Sequence, residues 1–319
     1  MLSNQYLTEL LTMTNKCLVT GAAGFVGSQL LYTLQKSDIP VRALLRNSVS
    51  VEQCVDTVIG DLGTENISYA SLLDGVDTVF HLANIAHMQA APVDYQSDCE
   101  ATLALARCAQ QTGVKRFIFV SSVKAANASP KDPYSYWKNI AEQRLLNEIN
   151  IPHIVIIRPC LVYGIGVKGN LNKMIHAIDR GTFPPLPNVP AKRSMVFVND
   201  LVSAMLLAAT RLDANRQQLI VADGEAYTAY SIYLAIRMSI GKGIPLWTMP
   251  RIFLKIIGVT GDILQYVWAG CPVSSEIIKR LTESSEYSAE KIMQLGWRPT
   301  TNFYKELSSI ITACLEKKS

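Results

Sequence analysis

The chain has 319 residues, 49% hydrophobic and 18% charged, with a formal net charge of +4. This composition specifies a globular protein long enough for a large core and a second lobe. Its weak, scattered basicity argues against a nucleic-acid partner.

Residues 1–15 lack the basic start and long apolar centre of a secretory signal, and are expected to be a loose N-terminal extension. From Lys16 short apolar runs alternate with helical stretches. "CLVTG" reads as a strand and Phe25–Lys36 as a helix. Strands follow at 41–46, 56–62 and 77–84, then a helix over 95–111, a strand over 115–123, a helix over 134–148 and a strand over 153–164. Strands that are apolar throughout and separated by helices predict a parallel sheet buried on both faces. Right-handed crossovers make it an α/β, Rossmann-type doubly wound fold over 16–164. Beyond Gly164 the rhythm loosens. A proline-rich loop (183–190), a helix (200–211) and a strand (218–223) open a smaller substrate lobe over 165–319, some of whose segments return to the first domain. The most apolar late stretch, 244–270, is broken by Pro250, Arg251, Lys255, Gly258, Gly261 and Asp262. A membrane span needs ~20 nearly uninterrupted apolar residues, so an amphipathic helix is expected there and no transmembrane span.

Gly21, Gly24 and Gly27 stand where the first strand becomes the first helix. Without side chains the backbone turns tightly and approaches a pyrophosphate, which the helix N-terminus attracts. An acidic residue about 20 positions on would hold the adenosine ribose of NAD. Arg46 occupies that place, which tilts the choice toward NADP while leaving NAD open, because a guanidinium binds a 2′-phosphate. Asp61, after the third strand, is a candidate for the adenine.

Tyr134 and Lys138 are four apart on a predicted helix and share a face. A tyrosine is a poor base at neutral pH, and a neighbouring ammonium is expected to lower its pKa. Tyr134 could then exchange a proton with a sugar hydroxyl or carbonyl, with Ser122, or secondarily Ser121, holding the same oxygen. Seven cysteines without a CxxC pair, and four histidines, show no metal spacing. Free thiols in a reducing, cytoplasmic compartment are expected.

The segments "VTGAAGFVGSQLL", "GDL", "VFHLAN", "FIFVSSVK", "YSYWK" and "IIRPCLVYGIG" stand in one order over about residues 16–315. They resemble the extended short-chain dehydrogenase/reductases, the NAD-dependent epimerase/dehydratase family, and most of all its bacterial nucleotide-sugar 4-epimerases and 4-ketoreductases. The resemblance implies catalysis by Ser122, Tyr134 and Lys138, with Lys138 also on the nicotinamide ribose. It implies a cofactor site that includes Phe25, Val26, Leu62, Leu82 and Ala83. It offers Asn170, Arg193 and Arg280 to the diphosphate of a nucleotide sugar, UDP-linked by expectation, and a homodimer through helices 95–111 and 134–148. Two departures stand out. Ser122 and Tyr134 are closer in sequence than in extended relatives, and Tyr136 and Trp137 fill the interval before Lys138. Dehydration ranks low, because Ser122-Val123-Lys124 replaces the Thr-Asp-Glu run of dehydratases. A dinucleotide-sensing regulator and a reductase of non-sugar ketones are the competing expectations.

Overall fold

The computed structural model describes residues 2–47, 56–64, 66–84, 94–167, 169–245, 248–250, 260, 262 and 282–316. Two compact units emerge. The first joins Met1–Cys160, Val198–Val221 and Ser288–Pro299; the second joins Leu161–Phe197, Ala222–Tyr287 and Thr300–Ser319. The chain leaves the first unit at Cys160 rather than Gly164, and returns to it twice.

The first unit holds a seven-stranded, all-parallel sheet. Its strands are β1 (Cys17–Thr20), β2 (Val41–Leu45), β3 (Asp56–Ile59), β4 (Thr78–His81), β5 (Arg116–Val120), β6 (His153–Pro159) and β9 (Gln218–Val221), in the spatial order β3-β2-β1-β4-β5-β6-β9. Strand order reverses between β1 and β4, and the crevice at such a reversal is where doubly wound sheets take ligands. The apolar runs of β1, β4 and β5 are buried as expected, with Leu18, Val19, Phe80, Phe117 and Phe119 fully covered. Flanking helices are α2 (Phe25–Gln35), α3 (Tyr69–Leu72), α4 (Tyr95–Gln111), α5 (Pro133–Glu148) and α7 (Val198–Thr210). Pro133 opens α5 at its first position, where its missing N–H is harmless.

Two features differ from the sequence expectation. The N-terminal residues are not loose: α1 (Leu2–Met13) packs on α7 and buries Tyr6, Leu7 and Leu10. It is pinned where Thr14 Oγ1 donates to Asp77 and the Asn15 N–H donates to the same carboxylate at 2.9 Å. The single strand expected over 153–164 splits into β6 and β7 (Leu161–Tyr163), which belong to different sheets. Of the segments after 164, the strand at 218–223 pairs with β6 and completes the first sheet.

The second unit contains the sheet β10-β8-β7, with β8 at Lys192–Phe197 and β10 at Ala226–Thr228. The buried Asp223 carboxylate ties it together, accepting from the Tyr163 hydroxyl at 3.0 Å and the Tyr227 hydroxyl at 2.7 Å. Its helices include α6 (Asn170–Asp179) and α8 (Ala229–Ser239). The stretch 244–270, apart from a few isolated residues, lies outside the described residues. No helix among the described residues is long and apolar enough to cross a membrane.

Candidate active site

The glycine turn sits at the crevice end of β1. Gly21 has φ +69°, and a Cβ there would lie 2.8 Å from the Ala83 backbone nitrogen. A Cβ on Gly27 would collide with the Gly21 carbonyl. Gly24 is the N-cap of α2 and offers no side-chain acceptor to the first-turn N–H groups. The result is a close-packed backbone turn at an uncapped helix N-terminus, which fits a dinucleotide pyrophosphate. Phe25 and Val26 form the first turn of α2, and Leu82 and Ala83 follow β4 directly beside Gly21. Replacing Gly27 with alanine is expected to weaken dinucleotide binding by more than about tenfold in a calorimetric titration. An unchanged dissociation constant would remove the turn from the binding site.

Arg46 and Asp61 come together. Their side chains form an ion pair at 3.3 Å, with both about two-fifths exposed. The guanidinium read as a phosphate-binding cation thus has a carboxylate beside it. Leu62 packs on the main hydrophobic core.

Behind the crevice lies a buried relay. Thr20 Oγ1 accepts from the Leu82 N–H at 3.2 Å and the Ala83 N–H at 3.1 Å, so its own proton goes to His81 Nδ1 at 2.7 Å. His81 Nε2 then donates to Thr102 Oγ1 at 2.9 Å, which donates to the Asp98 carbonyl at 2.9 Å. Burial and, next, the Lys138 charge pull the His81 pKa from 6.5 down to about 3, so the imidazole is neutral. The unfolded chain therefore takes up a proton near pH 6.5 that the folded chain refuses. His81 stabilises the fold fully above that pH, and its contribution is lost as pH falls toward 3, at ~1.4 kcal/mol per pH unit. Urea unfolding at about pH 7 and pH 5 checks the sign. The wild type should lose more stability than a His81→Gln variant, and equal losses would refute it.

Ser122 ends the loop after β5 and caps a short 3₁₀ helix, Val123–Asn127. The short connection to α5 closes tightly: the Asp132 N–H donates to the Ser129 carbonyl at 2.9 Å, and Lys124 pairs with Asp132 at 3.2 Å. Short as it is, it brings the two candidate hydroxyls together. The Ser122 hydroxyl and the Asn84 amide both lie close enough to the Tyr134 phenol to lower its pKa. Ser121 Oγ is buried, with no partner among the described residues. Trp137 is half-buried, packs on the core and meets the Tyr136 ring edge-on at 5.4 Å.

Lys138 lies one turn beyond Tyr134 and is buried. Its ammonium meets a carboxylate that the sequence reading did not include. It pairs with Asp98 on α4 at 3.6 Å and stands 4.8 Å above the Phe119 ring. Burial raises the Tyr134 pKa, the Ser122 and Asn84 hydrogen bonds lower it, and the Asp98 charge raises it further. Asp98 and Asn84 are the site residues that motif reading missed. Asp98 had one sequence signal, an acid four residues after Asp94 at the start of a helix.

The second unit holds Asn170, exposed as the first residue of α6, and Arg193 on β8, opposite Tyr227 of β10. Burial lowers the Arg193 pKa from its ordinary value. Arg280 lies outside the described residues. Among the described residues no group of His, Cys, Asp or Glu side chains could hold a metal ion. Burial pushes the Cys17 thiol up to about 12 and the Cys99 thiol up to about 11, which suits neither to nucleophilic work.

A parallel sheet with a glycine turn at its reversal and a Ser–Tyr–Lys constellation beside it defines a Rossmann-type protein of the short-chain dehydrogenase/reductase kind. Residues 17–222 match the NAD dependent epimerase/dehydratase family, and the chain belongs to it. It is 28% identical to a UDP-glucose 4-epimerase of Vibrio cholerae, over 95% of this chain and 97% of the relative. It is 25% identical to an N-acetyl-alpha-D-glucosaminyl-diphospho-ditrans,octacis-undecaprenol 4-epimerase of Escherichia coli O157:H7, over 89% and 91% of the two chains. Among solved structures it is similar to MoeE5 in complex with UDP-glucose and NAD, with a TM-score of 0.73, 22% identity, and coverage of 95% and 100%.

Proposed function

We propose that this protein is a nucleotide-sugar 4-epimerase that uses NAD and a UDP-linked hexose. The observation that carries the reading is the nearness of Ser122 to the Tyr134 phenol, which lowers the phenol pKa, with Lys138 one turn further along α5. The near full-length similarity to a UDP-glucose 4-epimerase supports it. The Arg46–Asp61 pair supports NAD over the NADP lean of the sequence, since a carboxylate there opposes a 2′-phosphate.

NAD, when bound, accepts and returns hydride at the sugar C4. The chain's own residues handle the rest. Gly21, Gly24 and Gly27 admit the pyrophosphate to the N-terminus of α2. Ser122 holds the C4 oxygen by a hydrogen bond. Tyr134 exchanges the proton on that oxygen, as acid when the alcohol is restored and as base when it is oxidised. Lys138 holds the nicotinamide ribose. Asn170 and Arg193 hold the sugar-nucleotide diphosphate, for which the Arg193 fork is suited. A cytoplasmic homodimer through α4 and α5 belongs to the same proposal, and sedimentation tests the assembly.

Incubating purified protein with UDP-galactose and no added dinucleotide separates the possibilities. Formation of UDP-glucose, with NAD retained in native mass spectra, is the expected result. Turnover of a 4-keto sugar only when NADPH is supplied would replace the epimerase with a ketoreductase. A second reading takes the diphosphate-linked sugar on a polyprenol rather than a nucleotide. The apolar sequence of 244–270 and the similarity to the undecaprenol-linked epimerase favour it. Preference for a polyprenyl-diphosphate sugar over UDP-sugars in the same assay would establish it.

A further inference from the structure

Two lysines attend Tyr134, and they are held differently. Lys138, on the same helix, is buried against Asp98. Lys124 lies in the loop before the helix, with its Nζ over the Tyr134 ring at 5.6 Å from the centroid. Its counter-ion is Asp132 at 3.2 Å, and the two side chains are 44% and 42% exposed. The Lys124 N–H donates to Ser122 Oγ at 3.3 Å, so this ammonium and the candidate serine hydroxyl belong to one turn. We propose that Lys124 is a specificity-determining residue that binds a carboxylate on the sugar, and that the substrate class the site favours is a nucleotide-linked hexuronic acid. The inference rests on the reading of Ser122 and Tyr134 as the pair at the C4 oxygen.

A sugar whose C4 oxygen sits on Ser122 and Tyr134 brings its neighbouring carbons to the groups around the phenol. C3 carries a hydroxyl. C5 carries C6, which is a hydroxymethyl group in a hexose and a carboxylate in a hexuronic acid. An ammonium beside the phenol ring distinguishes the two, because a charge-assisted hydrogen bond is about twice as strong as a neutral one. Asp132 holds the ammonium meanwhile. An ion pair this exposed is worth little in water, so a substrate carboxylate can take the place of Asp132 at small cost. Lys138 is not available for this task, since its ammonium is buried and already committed to Asp98.

Closing the loop is the weaker explanation of the Lys124–Asp132 pair. Neutral hydrogen bonds already close it. The Asp132 N–H donates to the Ser129 carbonyl, and Ser135 Oγ donates to the Asp132 carbonyl, both at 2.9 Å. The Ser129 N–H donates to Ser135 Oγ at 3.3 Å, and Asn139 Nδ2 donates to the Ala125 carbonyl at 2.9 Å. None of these bonds uses the Lys124 side chain, which leaves its ammonium free to change partners.

The test compares UDP-galacturonic acid with UDP-galactose, which differ only at C6, on the NAD-loaded protein. Calorimetric titration should show the acid binding more tightly by about tenfold, and kcat/KM should favour it by a similar factor. In Lys124→Gln the ratio of the two dissociation constants should fall to about one. Lys124→Arg keeps the cation and should keep most of the preference. Added salt should shrink the wild-type ratio, because the ammonium is partly exposed. Equal affinities in wild type, or a preference that survives Lys124→Gln, would overturn the proposal, and turnover of UDP-galactose by the same protein would leave the epimerase reading standing. A preference lost in Lys124→Gln, with neither sugar turned over, would uphold Lys124 and refute the epimerase. Binding of neither sugar nucleotide would refute both.

Discussion

Tyr134→Phe should lower the interconversion of UDP-galactose and UDP-glucose by about 10²–10⁴-fold, the range for loss of a positioned acid or base. The fold should survive. Phenylalanine keeps the ring that packs edge-on against Tyr95 at 5.7 Å, and it removes only the hydroxyl that Ser122 and Asn84 approach. NAD content and melting temperature should therefore match wild type. Initial rates by coupled assay, with dinucleotide content by mass spectrometry, check both halves. A variant within twofold of wild type would end the assignment of Tyr134. The high phenol pKa adds a sign. Tyr134 is protonated at neutral pH, so the oxidative half of the reaction should gain with rising pH as the phenolate form is populated.

The largest stability effect is expected at Glu142. This carboxylate is fully buried on α5 and accepts from Arg158 Nε at 3.1 Å and Gln218 Nε2 at 3.2 Å, with Arg158 Nη2 bonded closely to the same group. Arg158 lies on β6 and Gln218 on β9, so the cluster fastens α5 to two strands of the sheet. Glu142→Ala leaves a guanidinium buried without its counter-ion, which costs about 3–5 kcal/mol. Urea unfolding at neutral pH measures it, and a loss under 1 kcal/mol would mean that Arg158 finds water instead. Lys138 stands one helical turn before Glu142. The variant should accordingly lose dinucleotide affinity along with stability, whereas Tyr134→Phe keeps both.

Much of the first unit was legible because its signals are local. A strand buried on both faces must be apolar throughout, and "CLVT", "TVFH" and "RFIFV" are close to that. Three glycines between strand and helix allow a backbone approach that any Cβ would block. The helix over 134–148 was displaced by one residue, since Pro133 opens it. The N-terminal helix carried a signal that went unread. Tyr6, Leu7 and Leu10 fall on one helical face, yet a short amphipathic segment needs a partner to be stable, and that partner, α7, begins near residue 198. The break at Cys160 was equally hidden, because one apolar run serves two sheets and nothing in its composition marks the change.

The sequence by itself determined the doubly wound sheet, the glycine turn, and the identity and order of Ser122, Tyr134 and Lys138, because each depends on residue type and near-neighbour spacing. Only the tertiary structure decided which charges meet. Arg46 faces Asp61, and Lys138 on α5 faces Asp98 on α4. Electrostatic influence follows distance and burial in space. A carboxylate forty residues distant in the chain therefore meets a lysine that no near-neighbour spacing pairs with it.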